Sequence, residues 1–131
     1  MSQPLAAFSA PLPPAILSPN ARGHYMQVAK AKAEYAAIGK LLAQANPLPE
    51  GAGHSLILEV LAYPAKPGWA GRQCCPRDQD NGVAALKALR DGLSEGWKLP
   101  DDSKIITSYD RAKRQADSPP MGTLGIEVYP R

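Results

Sequence analysis

A chain of 131 residues with 15 Lys and Arg against 12 Asp and Glu is long enough to bury one core and too short for two domains, so a single domain over residues 1–131 is expected. The formal charge of +3 is only mildly basic, which permits phosphate binding without requiring it, since such binding depends on where the charge lies. The two cysteines, Cys74 and Cys75, are neighbours; that spacing disfavours a mutual disulfide and, without a matching Cys or His pair, a zinc site, and a reducing cytoplasmic setting is expected.

The stretch from Met1 to Pro19 carries Pro4, Pro11, Pro13, Pro14 and Pro19 and reads as extended. It holds either a short strand over Leu5 to Leu12 or a disordered tail. It has neither the basic region of a signal peptide nor the long apolar run of a membrane span.

From Arg22 to about Ala45 good helix formers predominate. Met26, Ala29, Ala33, Ala37, Leu41 and Ala45 recur at steps of three and four and mark the apolar side, while Lys30, Lys32, Glu34 and Lys40 take other positions. Asn20 is the expected cap. Arg22, His24, Lys30 and Lys32 are either a solvated face or part of a phosphate-binding surface. Asn46 to Gly53 is a loop by its prolines and glycines, and Ser55 to Tyr63, SLILEVLAY, reads as a well-buried strand. His54, standing alone, reads as structural or exposed.

Pro64, Pro67, Gly68, Gly71 and Pro76 forbid a regular element between Tyr63 and Pro76. Lys66, Trp69 and Arg72 lie in this loop and Arg77 follows it. They suit either an ordinary surface or a path for a DNA strand, by phosphate contact and base stacking.

The segment that follows, RDQDNGVAALKALRDGLSEGWKLPDD, has an aspartate pair at each end. Its middle predicts a helix from Asn81 or Gly82 to about Ser94, with Val83, Leu86, Leu89 and Leu93 on one buried face and Gly96 marking a stop. In an extended or turning backbone, residues two apart share a side, so Asp78 and Asp80 can offer carboxylates to one point. Oxygen donors of this kind suit a hard cation such as Mg²⁺, with Mn²⁺ as a substitute. If the helix returns the chain, Asp101 or Asp102 faces the first pair; otherwise Asp102 or Ser103 merely opens the next element. Lys87 lies seven residues, two helical turns, past Asp80 and could project along the same side.

Ile105 to Ala112 and Gly122 to Tyr129 predict two strands, paired antiparallel, with Arg111, Lys113 and Arg114 adding positive charge where the first ends. There is no internal repeat, no phosphate-cradling glycine loop and no cysteine or histidine set with nucleophile spacing.

Taken together, RDQDN, LKALRDGL and LPDDSKI, preceded by SPNARGHY and a lysine- and alanine-rich helix, resemble the RusA family of Holliday junction resolvases over roughly Pro13 to Val128. The resemblance implies a small α+β domain, a mixed or mostly antiparallel sheet with two main helices packed on it. It implies Mg²⁺ held by Asp78, Asp80 and Asp101 or Asp102, with Asp102 the better match, and a homodimer that cuts a four-way DNA junction symmetrically. The family's functional lysine follows DxDN by about one turn, where this chain has Ala84; alignment backwards from RDGL and LPDD puts Lys87 on that lysine, with an insertion near Gly82 to Ala85. The implied catalytic set is Asp78, Asp80, Lys87 and Asp102, and the implied DNA contacts are Arg22, His24, Lys30, Lys32, Arg72 and Arg77. Two other readings share these residues: a junction-binding protein that does not cut, and a nuclease of broader taste acting on flaps or single strands.

Overall fold

The structure is a computed structural model and describes residues 3–19, 21–64, 74–100, 103–112 and 122–131. In chain order it contains β1 (Ala6–Pro11), a 3-10 turn (Ala15–Leu17), α1 (Tyr25–Ala45), β2 (Ser55–Tyr63), α2 (Gln79–Ala85), α3 (Lys87–Gly96), β3 (Lys104–Arg111) and β4 (Thr123–Pro130).

The strands form one mixed sheet in the order β1-β4-β2-β3, and the domain is α+β as expected. β4 is antiparallel to both neighbours, with Phe8 opposite Ile126 and Val60 opposite Ile126 from the other side. β3 does not pair with β4. It lies parallel to β2, Leu58 opposite Thr107, so the expected antiparallel pair of final strands is corrected. The reason is the connection: β2 leads to β3 through two helices, and a helical crossover returns the chain in its original direction.

Strand alternation gives the sheet two unlike faces. Leu56, Leu58, Val60 and Ala62 of β2, Tyr109 of β3, and Leu124, Ile126 and Val128 of β4 are buried beneath the helices. Glu59 and Leu61 of β2 are exposed on the other face, so SLILEVLAY is buried on one side only.

On α1 the face marked by Met26, Ala29, Ala33, Ala37, Leu41 and Ala45 proves to be the outer one, with Met26 62% and Leu41 66% exposed. Ala31, Tyr35, Gly39 and Ala43 are buried instead. Alanine carries little hydrophobic bias, and the orientation is decided by one large and two very small side chains. Tyr35 enters the core and its hydroxyl donates to the Pro11 carbonyl at 2.8 Å. Gly39 lies against the Leu89 backbone, and Gly92 against Ala36, so α1 and α3 approach closely and run parallel.

The central helix also divides. It begins at Gln79, ends at Ala85, and restarts at Lys87 after Leu86, whose φ of −93° and ψ of −1° interrupt the regular turn. Leu86, Leu89 and Leu93 are buried as their spacing requires. Trp97 closes the far end, donating from Nε1 to the Asn46 carbonyl at 3.0 Å and meeting Phe8 edge-on. No helix among the described residues is long and apolar enough to cross a membrane.

Candidate functional site

α2 carries the first aspartate pair and is held by its flanks. Cys74 donates its backbone N–H to the Pro13 carbonyl at 2.8 Å, and two residues later the Pro76 carbonyl accepts the Tyr109 hydroxyl at 2.6 Å. The Tyr109 ring lies against Gly82, where even a Cβ would overlap it. Only glycine at 82 lets α2 settle on β3 in this way.

The cysteines serve packing. Both thiols are free; Cys74 Sγ is 3.6 Å from the Pro14 carbonyl, and Cys75 Sγ is 3.9 Å from the Tyr109 hydroxyl. Burial, and then the neighbouring Cys75, pushes the Cys74 thiol up to about 11, and burial raises Cys75 as well. Thiols held protonated this way are poor nucleophiles and poor metal ligands.

Asp78 is the N-cap of α2. One carboxylate oxygen accepts the Asn81 backbone N–H at 2.8 Å, and the other accepts the Asn81 side-chain amide at 3.0 Å. Asp80 sits in the first turn, exposed, with no hydrogen-bond or ion-pair partner among the described residues. The alternation that would aim the two carboxylates at one point therefore does not operate, because α2 has already begun at Gln79 and helical residues two apart do not face each other. What the fold supplies is a pair of neighbouring exposed carboxylates, one fixed by Asn81 and one unengaged.

Lys87 begins α3 beyond the break at Leu86. Its ammonium pairs with Asp91 Oδ2 at 3.1 Å, one turn onward, rather than turning back toward Asp80. It shares a groove with Lys32, across a floor of Ala33, Ala36, Ala84 and Ala88. The fold thus brings together two of the expected cations from opposite halves of the chain.

The remaining cations are spread along the surface. Arg22, Lys30 and Arg77 are exposed. His24 takes the role expected of Asn20: its Nδ1 accepts the Met26 N–H at 3.2 Å and caps α1, whose first residue is Tyr25 rather than Arg22. Its ring stacks beside Tyr25 at 4.8 Å.

Asp101, Asp102, Arg72 and the suggested cap Asn20 lie outside the described residues, as do Lys66, Trp69, Lys113 and Arg114. The flanking residues Pro100 and Ser103 stand where β3 begins, Ser103 N–H donating to the Pro100 carbonyl at 3.0 Å and Lys104 N–H to that of His54 at 3.0 Å. Among the described residues no three His, Cys, Asp or Glu side chains are gathered as for a metal.

The chain matches no family model, no curated protein and no solved structure.

Two residues of this region were not singled out from the sequence. Asn81 had a readable signal: an amide three positions after an aspartate is the spacing of a cap and its return partner. Tyr109 had none, because it meets α2 only through the crossover.

Proposed function

We propose that this protein is a divalent-metal-dependent endonuclease acting on four-way DNA junctions. The observation that carries this reading is the pair of exposed carboxylates at the start of α2, Asp78 fixed by Asn81 and Asp80 unengaged, inside the RDQDN run. Their donor chemistry fits Mg²⁺, which takes one or two carboxylates and keeps waters for the remainder. The ordered likeness of RDQDN, LKALRDGL and LPDDSKI to the RusA family supports the choice of substrate, and the α+β domain with its mixed sheet is compatible with it.

In this reading Asp80 would hold the cation, joined by Asp78 once its side chain turns out of the cap it makes with Asn81, with Asp101 or Asp102 as the further ligand. A cation bound there supplies an activated water and neutralises charge on the phosphoryl oxygens. Lys87 meets charge developing on the scissile phosphate or the leaving oxygen. Its pairing with Asp91 is no obstacle: an exposed pair one turn apart contributes only about 0.3–0.5 kcal/mol, which a phosphate readily outcompetes. Lys32, beside it in the groove, together with Arg22, Lys30, Arg77, Arg72 and His24, contacts the backbone of the DNA. Two copies related by a two-fold axis provide the two symmetric cuts, matching the symmetry of the junction.

The test is cleavage of a labelled four-way junction beside matched linear duplex and flap substrates, in Mg²⁺ and in EDTA, with Asp80→Asn as control. Paired symmetric nicks that need both metal and Asp80 support the resolvase. The use of both Asp78 carboxylate oxygens in capping α2 favours one other reading, a junction binder that does not cut, and binding without nicks would select it. Equal cutting of flaps would select a broad nuclease.

A further inference from the structure

The helices cover one face of the sheet; the opposite face carries an unusual grouping. Glu59 and Glu127 are direct cross-strand partners in the β2–β4 pair, and both are exposed. Like charges set opposite each other in this way destabilise a sheet. Neither glutamate takes part in a salt bridge among the described residues; Glu127 accepts only the Tyr129 hydroxyl, at 3.1 Å. Asp110, opposite Leu61 on β3, adds a third carboxylate to the same face. The cations Lys104 and Arg131 stand where β2 begins, Arg131 N–H bonded to Ser55, four residues or about 13 Å along the strand from Glu59.

Around the carboxylates the face is apolar. Leu61 is 36% and Ile106 44% exposed, and Gly125, bordered by the Tyr63 ring, leaves a depression lined by Ser9, Glu59, Leu61, Tyr63, Asp110 and Glu127. Parallel strands such as β2 and β3 are ordinarily covered on both faces, and here one cover is lacking among the described residues. Four strands at about 4.8 Å spacing make a face about 14 Å wide, which takes one helix of about 10 Å diameter.

Charge selects the occupant. Nucleic acid is repelled by three carboxylates, and a second copy stacked on the same face would bring four glutamates together. We infer that this face docks a basic amphipathic helix of another protein, its apolar side on Leu61 and Ile106 and its lysines or arginines on Glu59, Glu127 and Asp110. The inference stands independently of the nuclease reading, since the face lies across the sheet from α2.

The test uses the full chain and a labelled helical peptide of leucine and lysine, with glutamate replacing lysine in the control peptide. The lysine peptide is expected to bind and the glutamate peptide not to. Glu59→Gln with Glu127→Gln should weaken binding about tenfold or more and, by removing the like-charge pair, raise the thermal midpoint of the free protein. Ile106→Ser should weaken binding as well. Equal affinity of the parent and the double variant, or an unraised midpoint in that variant, overturns the inference. So does a dimer in sedimentation velocity that Ile106→Ser abolishes, because the face would then belong to a second copy.

Discussion

The Tyr109 hydroxyl donates to the Pro76 carbonyl at 2.6 Å while the Tyr109 ring lies on Gly82, so a single side chain of β3 holds both the approach to α2 and its first turns. Tyr109→Phe removes the hydrogen bond and is expected to cost about 1 kcal/mol. Gly82→Ala forces a methyl into the ring and should cost about 1–3 kcal/mol by overpacking. The two sites touch, so they should couple: in a Tyr109→Ala background the Gly82→Ala cost should largely vanish in urea unfolding. Additive costs would mean that the ring is not what excludes a side chain at 82.

Asp78 has two separable roles. Asp78→Ala removes the cap of α2 and should cost about 1 kcal/mol, whereas Asp78→Asn keeps a capping oxygen and should cost little. Both should abolish metal-dependent cleavage, because neither leaves a carboxylate. Asp80→Asn should leave the thermal midpoint unchanged, abolish cleavage and leave junction binding intact or tighter. An unfolded circular dichroism spectrum for Asp80→Asn would mark that residue as structural.

Lys87→Ala removes one exposed pair with Asp91, so stability should change by no more than about 0.5 kcal/mol. Junction cleavage should nonetheless slow measurably, with the salt dependence of binding becoming shallower. Unchanged single-turnover rates would discard the role given to this lysine.

Gly92 faces the Ala36 backbone of α1. Helix propensity alone favours alanine there by about 1 kcal/mol. The added Cβ would, however, meet a carbonyl that has no rotamer to move to, so packing decides the sign and Gly92→Ala should destabilise by about 2 kcal/mol or more. A stabilised variant in thermal unfolding would show that α1 and α3 sit farther apart.

Alkaline pH should unfold the chain earlier than its surface charge suggests. Burial raises the Cys74 thiol from 9.0 to about 11 and raises the Tyr35 and Tyr109 phenols above the ordinary phenol value. These groups ionise more readily when unfolded, so their contribution is complete below about pH 9 and is lost as pH rises through the folded values. The thermal midpoint should fall between pH 9 and 11, and Cys74→Ala should flatten the first part of that fall.

Where local pattern decides the outcome, the sequence is readable. The nine residues of SLILEVLAY form β2 from Ser55 to Tyr63, β1 falls inside Leu5 to Leu12, and Leu86, Leu89 and Leu93 line one buried face. Where partners come from far along the chain, it is not. The alanines of α1, with Met26 and Leu41, marked the wrong side, and the burial of Tyr35 beside Pro11 and of Gly39 against Leu89 decides the orientation instead. The parallel pairing of β2 with β3 follows from a crossover whose helices were legible but whose direction was not. At the candidate site the aspartates of DxDN could be picked out by residue type. The helix start at Gln79, which turns Asp78 into a cap, rests on a local partner, Asn81, whereas the clamp from Tyr109 comes from 33 residues away in sequence.

β4 is the last strand along the sequence, yet it lies between β1 and β2. During synthesis β1 emerges early with its hydrogen-bonding edge unmatched, and β2 has one unmatched side, until residues 123–130 leave the ribosome. A nascent chain stalled before Thr123 lacks the strand that, among the described residues, joins β1 to β2, so it cannot form a continuous sheet. The fold is therefore completed in one late event, and the interval before it is when these apolar edges are most open to wrong partners.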